Sequence, residues 1–476
     1  MDRQSVHTAS LPLWLLITVA VGAAMINMYT FYPGIYHHDA WSYVSSVRSG
    51  NWSNWQPPLL GVLWVPLQAV WSGPQPMLAL FLLGYWSSFV LLAHAYRDVA
   101  GRLIPWLVFA TAFYPLALNF NSVLVKDIAM TVCLLSATGI AGLLLRGRLI
   151  YRHSTAAAMW LLIIMGGFLR ANAVFALPPL IDLALCAVSR RWRAIGLLKR
   201  LVVTGIVSLL FIPGHMLADR YVFRVKDIKP ITPLQIFDIG GIAYYSGHDG
   251  YKGFFGPDFI AKNRGPGCYT PRHWDNYGWG KCAEVYENLK PKRGAELTAL
   301  WLDAILAEPV AYIQHRLAHT NRFFQFLCRD CQESVFVGRQ SDRQQEVSFE
   351  RNPVFDLINW LSFQLSSSPL GPPYVYLLIC LSWMWASFGL HRKDVQAITF
   401  ALTAAGAMYA AAFFVVGVAH EFRYIYPTML CALIATPIIV RHIILNKSVA
   451  WLFRVVPLAL IVAVILFREM TVRFVL

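Results

Sequence analysis

Outside one long polar stretch, residues 219–372, the 476-residue chain carries only eight acidic side chains: Asp2, Asp39, Asp98, Asp127, Asp182, Asp394, Glu421 and Glu469. Carboxylates beside lipid are costly, and where they gather they mark function. Asp39 stands in Tyr32-Pro-Gly-Ile-Tyr-His-His-Asp-Ala-Trp-Ser-Tyr43. Shielded by Tyr36, Trp41 and Tyr43, it would keep a raised pKa and serve as a general base. The competing reading is an N-cap that opens a helix over 40–47. His37 and His38 would tune Asp39 or help it hold a divalent metal, although metal ligands usually come from helical spacing or separate elements. The next segment, Trp52-Ser-Asn-Trp-Gln-Pro-Pro-Leu, offers Trp55 and Gln56. It reads as an aromatic belt at the membrane interface, as a wall of an acceptor or sugar pocket, or as both.

The cations that would complement these acids are equally few. Lys126-Asp127 opens one apolar run, Arg170-Ala-Asn172 joins two others, and His420-Glu-Phe-Arg-Tyr-Ile-Tyr-Pro427 joins two more. A departing phosphate needs such cations. Arg170 would grip it bidentately and Asn172 would add a hydrogen bond. The plain alternative is a cation snorkelling at a helix end. Glu421 and Arg423 are two apart, so on a helix they would not face one another and would serve separate partners. Glu421, Arg423 and Tyr424 are candidate substrate contacts. In Tyr312-Ile-Gln-His-Arg-Leu-Ala-His319, His315 and His319 have metal-like spacing, with a surface or capping role the simpler reading. Arg316 between them would reach a phosphate. No P-loop, GxSxG or HExxH pattern occurs, which argues against nucleotide-driven pumps and hydrolases built on those devices.

The elements that position these groups are membrane spans. The chain is 57% hydrophobic and 14% charged, against about 45–50% and about 25% in soluble proteins. A span needs about 20 mostly apolar residues. Candidates are 11–31, 76–96, 103–118, 128–145, 156–169, 173–188, 201–217, 373–390, 395–418, 425–440 and 449–467. The fold predicted is therefore an all-α polytopic membrane protein of about eleven transmembrane helices. The apolar stretch 57–71, interrupted by Pro66, is read as a helix lying in the interface. Lys and Arg in short loops orient the chain. Fifteen fall on one side and four, Arg48, Lys126, Arg170 and Arg423, on the other. The basic side is predicted to be cytoplasmic, so Asp39, Asp127 and Glu421 share the outer face with those four cations.

The net charge of +15 has the same origin. Residues 219–372 hold 18 basic and 17 acidic residues, leaving 22 and 8 for the membrane part. The excess is a topology signal, and nucleic-acid binding loses its support. The chain divides into an N-terminal membrane module, 1–218, with a first outer loop at 33–75; an outer domain, 219–372; and a C-terminal membrane module, 373–476. The outer domain should be helical and irregular. Residues 256–280 read as loop, and 295–326 as two helices parted at Pro309. It holds Cys268, Cys282, Cys328 and Cys331. Outside the cytoplasm an even number suggests disulfides, with three pairings open and neighbours in sequence the simplest. A four-cysteine zinc site is the rival.

Taken in order, Tyr32-Pro-Gly, Asp39, Trp55-Gln-Pro-Pro-Leu, Lys126-Asp127, Arg170-Ala-Asn172-Ala, Glu308-Pro-Val-Ala-Tyr-Ile-Gln-His-Arg316 and Glu421-Phe-Arg-Tyr-Ile-Tyr-Pro427 resemble the polytopic glycosyltransferases of the GT-C superfamily. The likeness is to bacterial members of the protein-mannosyltransferase and aminoarabinose-transferase type. The resemblance implies an inverting transferase that uses a polyprenyl-phosphate-linked sugar at the outer face of a bacterial inner membrane. Asp39 would match the first-loop acid that deprotonates or orients the acceptor, and 51–71 the juxtamembrane helices. Lys126, Arg170 and Arg423 would bind phosphate. Two departures stand out: many relatives pair two acids where this chain has His37-His38-Asp39, and often have His where it has Gln56.

The expected partners are thus the lipid-linked donor, a glycan, lipid or protein acceptor, and membrane lipids. An O-antigen ligase or polymerase would instead rely on His315, Arg316 and His319. A lipid or polysaccharide transporter would place charges deep in several spans, where this chain has almost none. The charge bias predicts that a cysteine introduced at Ser341 reacts with a membrane-impermeant reagent from outside intact cells. Labelling only from the cytoplasmic side would invert the topology and disperse the shared outer site.

Overall fold

The computed structural model describes residues 12–35, 38–99, 103–149, 152–256, 258–329, 331, 351–445 and 450–474. His37 and Ser341 lie outside the described residues, as do the side chains of His38 and Trp41. Among the described residues the protein is all-α, with two isolated β-bridges and no strand. Seven helices among the described residues are long and apolar enough to cross a membrane: Leu13–Phe31, Gln75–Ala95, Lys126–Leu145, Leu197–Val222, Lys393–Val416, Phe422–Ile444 and Trp451–Arg473. The other four stretches expected to span are also helical, but they are shorter or polar at one end. Leu103–Ala110 passes into a 3-10 turn and ends before Pro115, where a proline cannot extend the ladder. Leu177–Val188 and Pro373–Ser387 carry prolines in their first turns, a position that suits them. Arg152–Leu169 spends its first turn on Arg-His-Ser-Thr. Pro58–Val70 is a helix that runs through Pro66.

Burial separates axis from rim. In Lys126–Leu145, 89% of the apolar window is buried; in Leu197–Val222 the share is 11% and in Trp451–Arg473 it is 6%. The rim helices leave Val202, Ile206 and Val462 exposed, as an apolar solvent permits. The axial helix is rich in Ala, Thr, Ser and Gly, the small residues that let membrane helices approach closely. A Cβ at Gly84 would strike Val132, and one at Gly139 would lie 2.6 Å from Leu91 Cβ and 3.2 Å from its backbone carbon.

A second core forms in residues 219–372, named the outer domain for the side the sequence predicts, around Thr232–Ser246, which packs against Ala295–Ala307 and Pro309–Phe324. The break between the last two falls at Glu308 (φ −132°, ψ 59°), beside Pro309 as the sequence predicts. The four loop cysteines pair as neighbours, Cys268 with Cys282 and Cys328 with Cys331, which removes the zinc alternative. Pro353–Ser366 lies against the bundle: Phe355 meets Phe31 edge-on at 5.7 Å, and Asn119 Nδ2 donates to Asn359 Oδ1 at 3.0 Å.

Two short backbone pairings set the site. Ile35 bonds both ways with the strand-like stretch before Lys126, through Ile35 N to Ser122 O (3.1 Å) and Leu124 N to Ile35 O (3.2 Å). Trp52 and Asn54 bond likewise to Lys226, tying the first loop to the outer domain. We expect Gly139→Leu to lower stability by about 1–3 kcal/mol through overpacking, read as a reduced thermal midpoint in detergent. An unchanged midpoint would mean that these helices do not touch at Gly139.

Candidate functional site

Asp39 occupies the first turn of the helix His38–Ser49. Its carboxylate has two long-range side-chain partners. Oδ2 lies 2.5 Å from Arg423 Nη1, and Oδ1 accepts from Gln56 Nε2 at 2.7 Å. Its described side-chain partners are thus a guanidinium and an amide, while Tyr36 and the Trp41 side chain of the expected aromatic shield lie outside the described residues. Gln56 Oε1 in turn accepts from Lys126 Nζ at 2.6 Å and from the Tyr43 hydroxyl at 3.5 Å. Burial, and then the Asp39 charge, raise the Tyr43 pKa well above its ordinary value, so it stays a neutral donor.

Lys126 and Asp127 open the axial helix after an extended Val125. Asp127 is fully buried and forms an ion pair with Arg170, which follows Arg152–Leu169 in an extended conformation (φ −155°, ψ 127°). Arg423 Nη1 approaches the same carboxylate at 4.0 Å. Arg170 and Arg423 are both buried, so neither snorkels. Their guanidinium carbons lie 4.6 and 5.1 Å from the centre of the Tyr424 ring. Arg423 also pairs with Glu421, against the expectation that residues two apart would not meet. That expectation assumed a helix, whereas Glu421 is extended (φ −72°, ψ 136°) and Arg423 sits in a 3-10 turn.

The cluster balances three carboxylates, Asp39, Asp127 and Glu421, against three cations, Lys126, Arg170 and Arg423. Among them Lys126 is the cation that donates to an amide oxygen, that of Gln56. Exposure grades across the cluster. The Asp127 side chain is 0% exposed, Arg423 6%, Asp39 19% and Glu421 38%. The buried end is sealed in the bundle and the acidic end reaches solvent. Beside Gln56 and Tyr43 opens a cavity of about 370 Å³ between the first loop and the outer domain. Trp55 lines it, 6.1 Å from Trp274.

Two predicted residues lie apart. Asn172 is half-buried in the 3-10 turn Ala171–Phe175, and among the described residues its side chain makes no hydrogen bond. Arg316, expected to reach a phosphate, is wholly buried in the outer domain. It forms an ion pair with Asp238 and donates to Gly417 O at 2.7 Å. His315 and His319 are buried too, not on the surface. His315 Nε2 lies 3.2 Å from Asp238 Oδ1, and its Nδ1 lies 2.9 Å from the Tyr269 hydroxyl. One neutral tautomer, protonated on Nε2, serves both contacts. His319 Nδ1 donates to Pro271 O at 2.8 Å. Among the described residues no group of three His, Cys, Asp or Glu side chains could hold a metal.

Sequence reasoning passed over Asp238, the hub of this second cluster. Its signal was an acid inside an apolar run, Ile236-Phe237-Asp238-Ile239, hidden among the many acids of a polar loop. It also passed over His273 and Asp275. His273 Nδ1 lies 3.7 Å from Asp275, and its ring stacks at 6.2 Å on His420, next to Glu421. Burial foremost raises the Asp275 pKa. The Arg316 bond and the Trp274 N to Val418 O bond (2.9 Å) pin the segment leading into Glu421 and Arg423.

Compared with family models, curated proteins and solved structures, the chain matches none.

Arg316→Ala should cost about 3–5 kcal/mol, because it strands the buried Asp238 carboxylate. Thermal unfolding reads this, and an unchanged midpoint would return Arg316 to a ligand-binding role. Burial, the largest cause, lowers the pKa of His315 and holds that of His319 well below the ordinary value. Both therefore contribute their stability in full above the unfolded pKa of about 6.5. That contribution is lost as pH falls below this value toward the lower folded ones, since the unfolded state then binds more protons. The thermal midpoint should drop over that window, and a flat midpoint would contradict neutral, buried histidines.

Proposed function

We propose that the chain is a polytopic glycosyltransferase of the GT-C kind. On this reading it moves a sugar, with inversion, from a polyprenyl phosphate to an acceptor hydroxyl at the outer face of a bacterial inner membrane. The four shorter helices complete eleven spans. The observation that carries the reading is convergence: Asp39, Gln56, Lys126, Arg170 and Arg423 arrive from five separate stretches at one end of the apolar bundle. A lipid-borne phosphate and a polar acceptor would meet there.

In the reaction, the acceptor hydroxyl bonds to Asp39, and its oxygen attacks the anomeric carbon on the face opposite the phosphate. The new carbon–oxygen bond forms as the bond to the phosphate oxygen breaks. That bond's electron pair stays on the departing polyprenyl phosphate, and the hydroxyl proton passes to Asp39. Arg423 lies against Asp39, so the carboxylate chiefly orients the hydroxyl and takes its proton as the sugar bond forms. The leaving phosphate gains one negative charge, which Lys126 would meet. No nucleotide or redox partner enters the balance.

Purified variants, a polyprenyl-phosphate sugar and a separate donor-binding measurement test the reading. Asp39→Asn should reduce turnover by about 10²–10⁴-fold and leave donor binding intact. Lys126→Ala should weaken both, because its charge would act on the phosphate in ground and transition states alike. Turnover like the wild type in Asp39→Asn would remove Asp39 from the mechanism.

A further inference from the structure

Beside the charged cluster, the cavity between the first loop and the outer domain has a lining of its own kind. Trp52, Trp55, Trp279 and Tyr286 wall it, and Ser42, Ser46 and Ser53 join Gln56 in supplying its polar groups. Among its described lining residues none is charged. Ser42 and Ser46 are four apart on the helix His38–Ser49 and so share a face.

The aromatic walls are held in place. A Cβ at Gly61 would collide with the Trp52 ring, so that indole lies flush on the helix Pro58–Val70. Trp55 rests near Trp274, whose ring also meets Trp279 at 5.0 Å and Tyr286 at 5.4 Å, both edge-on. Arg293 covers Tyr286, its guanidinium carbon 3.9 Å from the ring centre. Trp279 nevertheless stays 63% exposed, an open indole at the cavity mouth. Rings fixed in this way lose little freedom when a ligand arrives.

A pyranose suits such walls. Its C–H face packs on an indole, and its hydroxyls both donate to and accept from serine hydroxyls and a glutamine amide. A sugar bearing a carboxylate, sulfate or phosphate would shed water against a described lining that holds no cation, since the nearby Lys126 and Arg293 are already engaged with Gln56 and Tyr286. The volume falls within the roughly 300–1,000 Å³ of small-molecule sites. Gln56 lines the cavity while its Nε2 donates to Asp39, so a hydroxyl at that end of the ligand lies next to the proposed base.

We propose that this cavity binds the sugar acceptor, and that the acceptor is a neutral oligosaccharide. Calling the ligand an acceptor rests on the transferase reading; the binding itself does not. Short neutral oligosaccharides and their uronate counterparts would be titrated onto the full chain in detergent, without donor, and followed by saturation-transfer NMR. Saturable binding of the neutral compounds is expected, with the uronates at least about tenfold weaker. Trp279→Ala should weaken binding about two- to tenfold, and Trp279→Phe should recover most of the loss. In transfer assays Trp279→Ala should raise the acceptor KM and leave donor binding unchanged.

Equal binding of neutral and uronate sugars would overturn the proposal. So would no effect of Trp279→Ala, or saturable binding of a serine-containing peptide but of no sugar. If neutral sugars bind as described but no variant or wild-type chain transfers from polyprenyl phosphate, the transferase reading fails while the sugar site stands. If transfer proceeds and no neutral sugar binds, the sugar site fails alone.

Discussion

Asp127 carries a carboxylate with no access to water at the head of the most buried helix in the bundle. A charge in that position is tolerable only when cations reach it, and much of the surrounding architecture follows. Arg170 must come in from the end of Arg152–Leu169, and Arg423 from the turn before Tyr426–Leu445. The Nη1 that approaches Asp127 also meets Asp39, at 2.5 Å, and Arg423 Nε pairs with Glu421 on the solvent side. Asp39 then fixes Gln56, and Gln56 fixes Lys126. A structural requirement in the bundle thus becomes an ordered polar path that ends at water.

The outer domain repeats this logic around Asp238. Its carboxylate draws Arg316, His315 and the Trp301 indole, whose Nε1 donates to Oδ2 at 2.8 Å. Arg316 spends a further donor on Gly417, where a Cβ would lie 2.7 Å from His319 Nε2 and collide with the Phe413 carbonyl. The two buried acids meet through one short stretch of chain, 417–423. Asp238 holds its start by way of Arg316, and Asp127 holds its end by way of Arg423. The arginine that reaches Asp39 is therefore positioned from both the membrane part and the polar domain.

The bundle-side site was legible because charges there are rare. Asp39, Asp127, Glu421, Lys126, Arg170 and Arg423 stood out against an apolar background, and they do converge. What could not be read was their pairing, which depends on backbone shape at chain breaks. Glu421 and Arg423 face one another only because the chain is extended and then turns in a 3-10 helix. The helical periodicity that placed the apolar spans says nothing about such a joint. In the outer domain the contrast disappears. Arg316 looked like a surface phosphate ligand because basic and acidic residues are both common there, and burial is a property of tertiary packing that a polar loop does not announce. The neighbouring disulfide pairs were one of three arrangements the cysteine count permitted.

The balance of three carboxylates and three cations limits how a phosphate could enter the proposed site. Each arginine already meets a carboxylate, so a lipid-linked phosphate gains most from Lys126, which donates to the neutral amide of Gln56. Taking Lys126 frees a place on Gln56 Oε1, in a residue that lines the aromatic cavity. That oxygen then becomes an acceptor for a sugar hydroxyl, while Gln56 Nε2 still holds Asp39 in line. On the proposed reading, donor binding thereby prepares the acceptor side through a single side chain. Gln56 has a reason to be an amide rather than a charged group: it donates to the base and accepts from the cation at once, which neither a carboxylate nor an ammonium can do.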